Sequence, residues 1–179
     1  KKKQYSYSRS SLRQALSLLF DIDPLEIPII APPSRKPKLE NDLGFISISH
    51  CSDALLIGWS NSPIGIDIEN SNRKIKSNKV FKKILHNSEL KNINFENKNH
   101  EIKRLLKIWV IKEAIVKKMA QSLIRDSKEW KWITNKNVAL NTKENKKINV
   151  IQESLYRWEI GIACNALEDK FPIICFDNI

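Results

Sequence analysis

The sequence predicts an α+β protein, on three observations. A long helical pattern without Pro or Gly runs through residues 100–120, short runs rich in β-branched residues cluster on both sides of it, and a shorter helical pattern precedes the first cluster. Apolar residues recur every three to four positions in the helical stretches, and turn-formers bound the short runs.

Each element follows from its residues. In residues 8–20, Leu12, Ala15, Leu16 and Leu19 lie at helical spacing, and Asp21-Ile22-Asp23-Pro24 stops the pattern. Five prolines from residue 24 to residue 37 exclude a helix and predict an extended loop carrying Arg35 and Lys36. Residues 45–49, 54–59 and 64–68 read as three strands of a small antiparallel meander. If the third continues through Asp67 and Glu69, both carboxylates leave one face of it. Val80, Phe81, Ile84 and Leu85 mark a short helix, and Ser88 with Glu89 is the expected cap of another reaching Phe95. Residues 100–120 form the longest helix, with Ile102, Leu105, Leu106, Trp109, Ala114, Val116 and Met119 on a broad apolar face. Short strands follow at 130–134, 138–140, 148–151, 156–164 and 173–176, with 141–147 as a polar hairpin turn. The chain divides into an N-terminal half, 1–75, and a C-terminal half, 76–179. Because it begins at Lys1 without Met, a natural start upstream is expected.

Composition narrows the function classes. Hydrophobic residues at 41% and charged residues at 28% fit a soluble globular protein. No apolar run approaches the roughly 18 residues of a membrane helix. Lys and Arg outnumber Asp and Glu by 31 to 20, a net charge of +11, so an anionic partner is expected. Three cysteines without a CxxC pair argue against a disulfide framework or a cysteine-rich zinc site and fit a reducing cytoplasm. The four glycines, Gly44, Gly58, Gly65 and Gly161, are too scattered for a glycine-rich nucleotide loop. Phosphate chemistry here has to rely on side chains, a metal and isolated backbone amides.

Three groups of residues can carry such chemistry. Trp109, Glu113 and Lys117 stand at i, i+4 and i+8 on one helical face; taken alone they read as a surface ion pair beside a core Trp. Gly65-Ile66-Asp67-Ile68-Glu69 is an apolar strand presenting two acids, which need a cation, a basic partner or open water. Hard oxygen donors suit magnesium among the metals. Ser47-Ile48-Ser49-His50-Cys51 adds a hydroxyl and an imidazole able to bind phosphate oxygens. His86 and His100 lack such a setting and read as surface residues.

Lys36-Pro37, the stretch from Phe45 to Cys51, the Gly65–Glu69 motif and Trp109-Val110-Ile111-Lys112-Glu113-Ala114-Ile115-Val116-Lys117 together resemble the Sfp-type 4'-phosphopantetheinyl transferases, over about half the chain. The resemblance implies two similar α+β halves in a pseudo-twofold arrangement, with coenzyme A in the cleft between them as the substrate. It implies Asp67, Glu69 and Glu113 as magnesium ligands, with Glu113 alternatively the base. It implies Lys117 and His50 as catalytic residues on the phosphates, and Ser49, His50, Lys117 and Lys36 as contacts to coenzyme A, joined by Arg9 or Arg13. The partner would be an acidic apo acyl or peptidyl carrier protein, which Lys76, Lys79, Lys82 and Lys83 would steer, and the enzyme a monomer. Cys51 departs from the Ser or Thr usual at its position. Two other readings compete: a basic nucleic-acid-binding protein, suggested by the charge and by Trp130-Lys131-Trp132, and a silent family member acting as an interaction partner. The acids Asp67, Glu69 and Glu113 would repel a nucleic-acid backbone.

Overall fold

The computed structural model describes residues 2–32, 36–74, 79–93 and 98–165, with the backbone alone at 2–5 and 98–100. Helix α1 spans Lys2–Phe20, longer than the expected 8–20 because its first two turns are polar and carry no apolar stripe. Leu12 and Leu16, one turn apart, are buried against Ile27 and Ile46. Arg13 donates to the carbonyls of Pro24 at 2.7 Å, Leu25 at 3.3 Å and Ile27 at 2.9 Å, which ties down the loop after α1. Within the proline-rich stretch, β1 (Ile29–Ile30) and β2 (Lys38–Leu39) form a two-residue antiparallel ladder. The expected strand at 173–176, Phe95, Arg35 and Lys76 lie outside the described residues, as does the His100 side chain.

Strands β3 (Phe45–His50) and β4 (Leu55–Ser60) pair antiparallel over six residues. The expected meander ends there. Strand β5 (Gly65–Asn70) does not extend the hairpin but pairs with β9 (Trp158–Cys164). The reason is a face of small residues on the hairpin. Ser47 lies opposite Gly58, a Cβ on Gly58 would come within 2.9 Å of the Ile66 side chain, and the Ile66 N–H donates to Ser47 Oγ at 3.2 Å. The backbone of β5 therefore lies on the hairpin's face, and its ladder is made elsewhere.

With β6 (Trp130–Ile133), β7 (Val138–Asn141) and β8 (Lys146–Leu155), these strands build a five-stranded sheet in the order β5-β9-β8-β7-β6, every neighbouring pair antiparallel. Helix followed by strands recurs in both halves. The halves are nonetheless interlocked, because β5 from the first completes the sheet of the second.

Helix α4 (Lys98–Met119) lies across that sheet. Two glycines set the distance. A Cβ on Gly65 would sit 2.0 Å from the Ala114 carbonyl oxygen, and one on Gly161 would sit 2.3 Å from that of Val110, so only glycine lets β5 and β9 touch the helix backbone. Ile111, Ala114 and Ile115 pack on Trp130, Ala139, Val150 and Ala163 of the sheet. Leu105 and Ile108 pack on Phe81 and Ile84 of α2 (Lys79–Ile84), and on Leu85 and Ile93.

One buried ion pair holds this arrangement. Lys112 on α4 is fully buried, with Nζ 2.8 Å from Glu89 Oε2 and within hydrogen-bond reach of the carbonyls of Ser127 and Trp130. Glu89, on α3 (Asn87–Leu90), also accepts from the N–H groups of His86 at 2.8 Å and Trp132 at 2.9 Å. His86, not Ser88, is the N-cap, its ring accepting from the Ser88 N–H at 3.2 Å. This corrects the surface reading of His86: the pattern is a capping box with His at the cap and Glu at N3, and desolvation lowers the imidazole's pKa.

Candidate active site

Asp67 stands mid-strand on β5, opposite Gly161 and two residues after Gly65. The missing side chains at both glycines bring α4 down onto this face, and its last turns reach Asp67. Lys117 Nζ donates to Asp67 Oδ1 at 2.7 Å and to Ser49 Oγ at 2.9 Å, while Ser49 Oγ donates to the same Oδ1 at 2.6 Å. Three elements, β3, β5 and α4, thus meet through one carboxylate oxygen. Asp67 is 5% exposed, and its Oδ2 is buried with no hydrogen-bond partner. Desolvation pushes the Asp67 carboxyl up, against the pull of Lys117 and Ser49.

Glu113 lies one helical turn before Lys117. Burial raises its pKa first and the nearby Asp67 raises it further, with Lys117 and Arg73 opposing. Glu69, two residues past Asp67 and on the same face, forms an ion pair with Arg73. The Arg73 guanidinium rests 5.0 Å above the Trp109 ring, which packs edge-on against Phe81. Asp67, Glu69, Glu113, Lys117 and Ser49 are therefore brought together, and Trp109 serves as a platform as well as a core residue. A cavity of about 420 Å³ opens beside Glu69 and Arg73, lined further by Cys51, Ser52, Asn70 and Asn72.

The other expected site residues lie at the margins. His50 ends β3 next to Ser49 and is exposed. Lys36 Nζ donates to the Ile64 carbonyl at 3.1 Å and the Lys117 carbonyl at 3.4 Å, which places it at the C-terminal end of α4. Desolvation, then Lys118 and Lys117, lower its pKa. Arg9 is half-buried on α1. Arg13 donates to the three loop carbonyls.

Sequence reasoning missed a hub that binds three of the cavity's lining residues, Cys51, Ser52 and Asn70. Asp53, in the turn between β3 and β4, accepts from Asn70 Nδ2 at 3.1 Å, Trp158 Nε1 at 3.2 Å, Cys51 Sγ at 3.3 Å and Ser52 Oγ at 3.2 Å, and pairs with Arg157 at 2.9 Å. These donors, Asn70 foremost, hold its carboxyl down at about 2. A lone Asp in a turn gave no signal, since its partners are scattered over the chain.

Among the described residues no group of three His, Cys, Asp or Glu side chains is drawn close enough to hold a metal ion; Lys117 and Arg73 occupy the facing oxygens of Asp67 and Glu69. The donor set still fits a hard divalent cation. The carboxylates stand on one sheet face and one helix face, and the buried Asp67 Oδ2 carries a lone pair that nothing satisfies.

The model of the 4'-phosphopantetheinyl transferase superfamily matches residues 63–167, which hold β5 through β9 and both acidic motifs. A holo-[acyl-carrier-protein] synthase of Mycoplasma capricolum is 33% identical over 109 residues, covering 60% of this chain and 96% of that protein. The 4'-phosphopantetheinyl transferase gsp of Aneurinibacillus migulanus is 27% identical over 134 residues, covering 73% of this chain and 53% of that protein. A solved holo-ACP-synthase structure from Plasmodium yoelii is 25% identical, covering 56% of this chain and 91% of that one, with a TM-score of 0.42. With the acids of Gly65–Glu69 and of α4 assembled around Lys117 inside the matched stretch, this chain belongs to the 4'-phosphopantetheinyl transferase superfamily.

Proposed function

We propose that the protein transfers the 4'-phosphopantetheine arm of coenzyme A to a serine of an apo acyl or peptidyl carrier protein, releasing 3',5'-adenosine bisphosphate. The observation that carries this reading is the Asp67–Lys117–Ser49 contact flanked by Glu113. Acids and a lysine at such range suit a pyrophosphate bridged by a cation better than a bare nucleic-acid backbone.

Asp67, Glu69 and Glu113 would hold magnesium, which when bound supplies charge neutralisation across the pyrophosphate. The residues of the chain do the rest. The serine Oγ attacks the β-phosphorus, its bond to the bridging oxygen breaks, and the adenosine bisphosphate leaves with that oxygen. Where Glu113 is the base and not a third magnesium ligand, it takes the serine proton, directly or through water. Its carboxylate is held above the ordinary range by burial and by Asp67, which strengthens it as a base. Lys117 stabilises charge on the phosphates, having Ser49 Oγ and Asp67 Oδ1 already within 2.9 Å to fix its position. His50 and Ser49 at the end of β3, Lys36 and Arg9 would hold the remaining phosphates of coenzyme A. No enzyme nucleophile is needed, and the protein would be a cytoplasmic enzyme.

No described helix is long and apolar enough to cross a membrane. Exposed Lys82 and Lys83 on α2 support an acidic carrier as partner, and the protein would act as a monomer. The test is to incubate the protein with apo carrier proteins, coenzyme A and magnesium and to weigh the carriers. Carriers heavier by one phosphopantetheine arm support the reading; none modified across acyl and peptidyl carriers, in a folded enzyme, overturns it.

A further inference from the structure

On β9, Glu159 lies directly opposite Glu69 in the antiparallel ladder. Residues 159, 161 and 163 share one face of that strand. Gly161 sets this face against the Val110 backbone, and Ala163 packs among the α4 residues, so Glu159 shares the helix-facing side with Asp67 and Glu69. It is 3% exposed. Its donors are all neutral: Ser154 Oγ at 2.6 Å and Gln152 Nε2 at 2.8 Å from β8, and Ser71 Oγ at 3.4 Å just past β5. None of the ion pairs among the described residues includes it.

Two like charges facing each other across a ladder destabilise a sheet, and a buried carboxylate without a basic partner does so more. Here they stand beside Asp67, whose Oδ2 is buried and unsatisfied, and Glu113. Two cations, Lys117 and Arg73, pair with acids of this cluster. In a chain of net charge +11, such a local excess of acid selects for a bound cation. We propose that Glu159 is a fourth acid of the site, a positioning residue that does not touch the reacting atoms and whose charge strengthens divalent-cation binding at Glu69 and Asp67. Its hydrogen bonds from Ser154 and Gln152 keep the carboxylate fixed behind Glu69. The proposal rests on the reading of Asp67 and Glu69 as metal ligands.

Titration calorimetry with Mn²⁺ and thermal unfolding of the whole protein, with and without Mn²⁺, test it. Glu159→Gln should weaken Mn²⁺ binding about tenfold, raise the metal-free Tm by relieving repulsion, and shrink the Tm gain on adding Mn²⁺. Glu159→Met, uncharged and needing no donor, should do the same if the Gln variant folds poorly. A purely structural Glu159 would instead lower the metal-free Tm and leave Mn²⁺ affinity unchanged, and that result overturns the proposal. If Asp67→Asn and Glu69→Gln also leave Mn²⁺ binding unaltered, the metal reading fails and this proposal with it. If those two weaken binding while Glu159→Gln does not, this proposal alone fails.

Discussion

Two lysines on α4, five residues apart, each meet an acid, and the pairs are built in opposite ways. Lys112 is fully buried and its partner Glu89 is 9% exposed. Both oxygens of Glu89 accept hydrogen bonds, and Lys112 has two carbonyls besides. Lys117 is 29% exposed, shares one oxygen of Asp67 with Ser49, and leaves the other oxygen buried and unpartnered. The first pair is saturated and closes a joint between α3, α4 and β6. The second is unsaturated on its acid and open to solvent on its lysine, as expected of groups that have still to meet a ligand.

The comparison breaks hardest at the open pair. Asp67→Ala should reduce transfer to a carrier protein by about a thousandfold or more, because it would remove a magnesium ligand and the carboxylate that fixes Lys117. Circular dichroism should show the fold unchanged, since a desolvated carboxylate has been removed. An Asp67→Ala enzyme with near-normal mass transfer would show that the site lies elsewhere.

The saturated pair should respond in stability instead. Lys112→Met leaves Glu89 charged and buried, at a cost of about 3–5 kcal/mol in urea unfolding. Glu89→Leu combined with Lys112→Met should recover much of that loss, since two apolar side chains replace two desolvated charges. If the double variant is as unstable as the sum of the singles, the pair does more than balance its own charges.

The contrast also marks what a sequence discloses. Strand and helix periods placed Asp67 with Glu69, and Glu113 with Lys117, on shared faces, but the resemblance to the Sfp-type family was what joined the two pairs into one set. The 22-residue α4 was legible from its period as well. Lys112 was not: inside Trp109–Lys117 it looked like any helical lysine, and its burial depends on Glu89 and on carbonyls at Ser127 and Trp130. The departure of β5 from the meander was equally hidden. It follows from the size of Ser47 and Gly58 on a face that meets Ile66, a fact of packing between segments. His86 as a cap was readable in principle, since Glu89 stands three residues later, but His is an uncommon cap and Ser88 looked the better one.

Between the two pairs, Gly161 keeps Val110 close and so sets the height of α4 over the acids. Gly161→Ala would put a methyl group 2.3 Å from the Val110 carbonyl, and we expect about 1–3 kcal/mol of lost stability. It should also lower transfer activity more than Lys112→Met does in whatever fraction remains folded, because the helix is lifted where Asp67 and Lys117 meet. Activity per folded molecule, from unfolding curves and initial rates on one preparation, checks this.

The smallest effect belongs to Asp53. Its carboxyl sits at about 2 instead of the ordinary 3.8, held there first by Asn70 and also by Trp158, Cys51 and Ser52. The folded protein therefore binds this proton less tightly than the unfolded chain. The stabilisation is complete above the ordinary carboxylate range and is lost as the pH falls through about 2. Asp53→Asn should accordingly lower Tm by a small, pH-independent amount near neutrality, and the gap to the parent should close as the pH falls from 3.8 toward about 2. Because Asp53 is open to solvent, added salt should narrow the same gap at pH 7. The buried pair on α4 is shielded from that test: Lys112 and Glu89 should hold their contribution at high salt, and an Asp53→Asn difference that survives salt would place the hub with them.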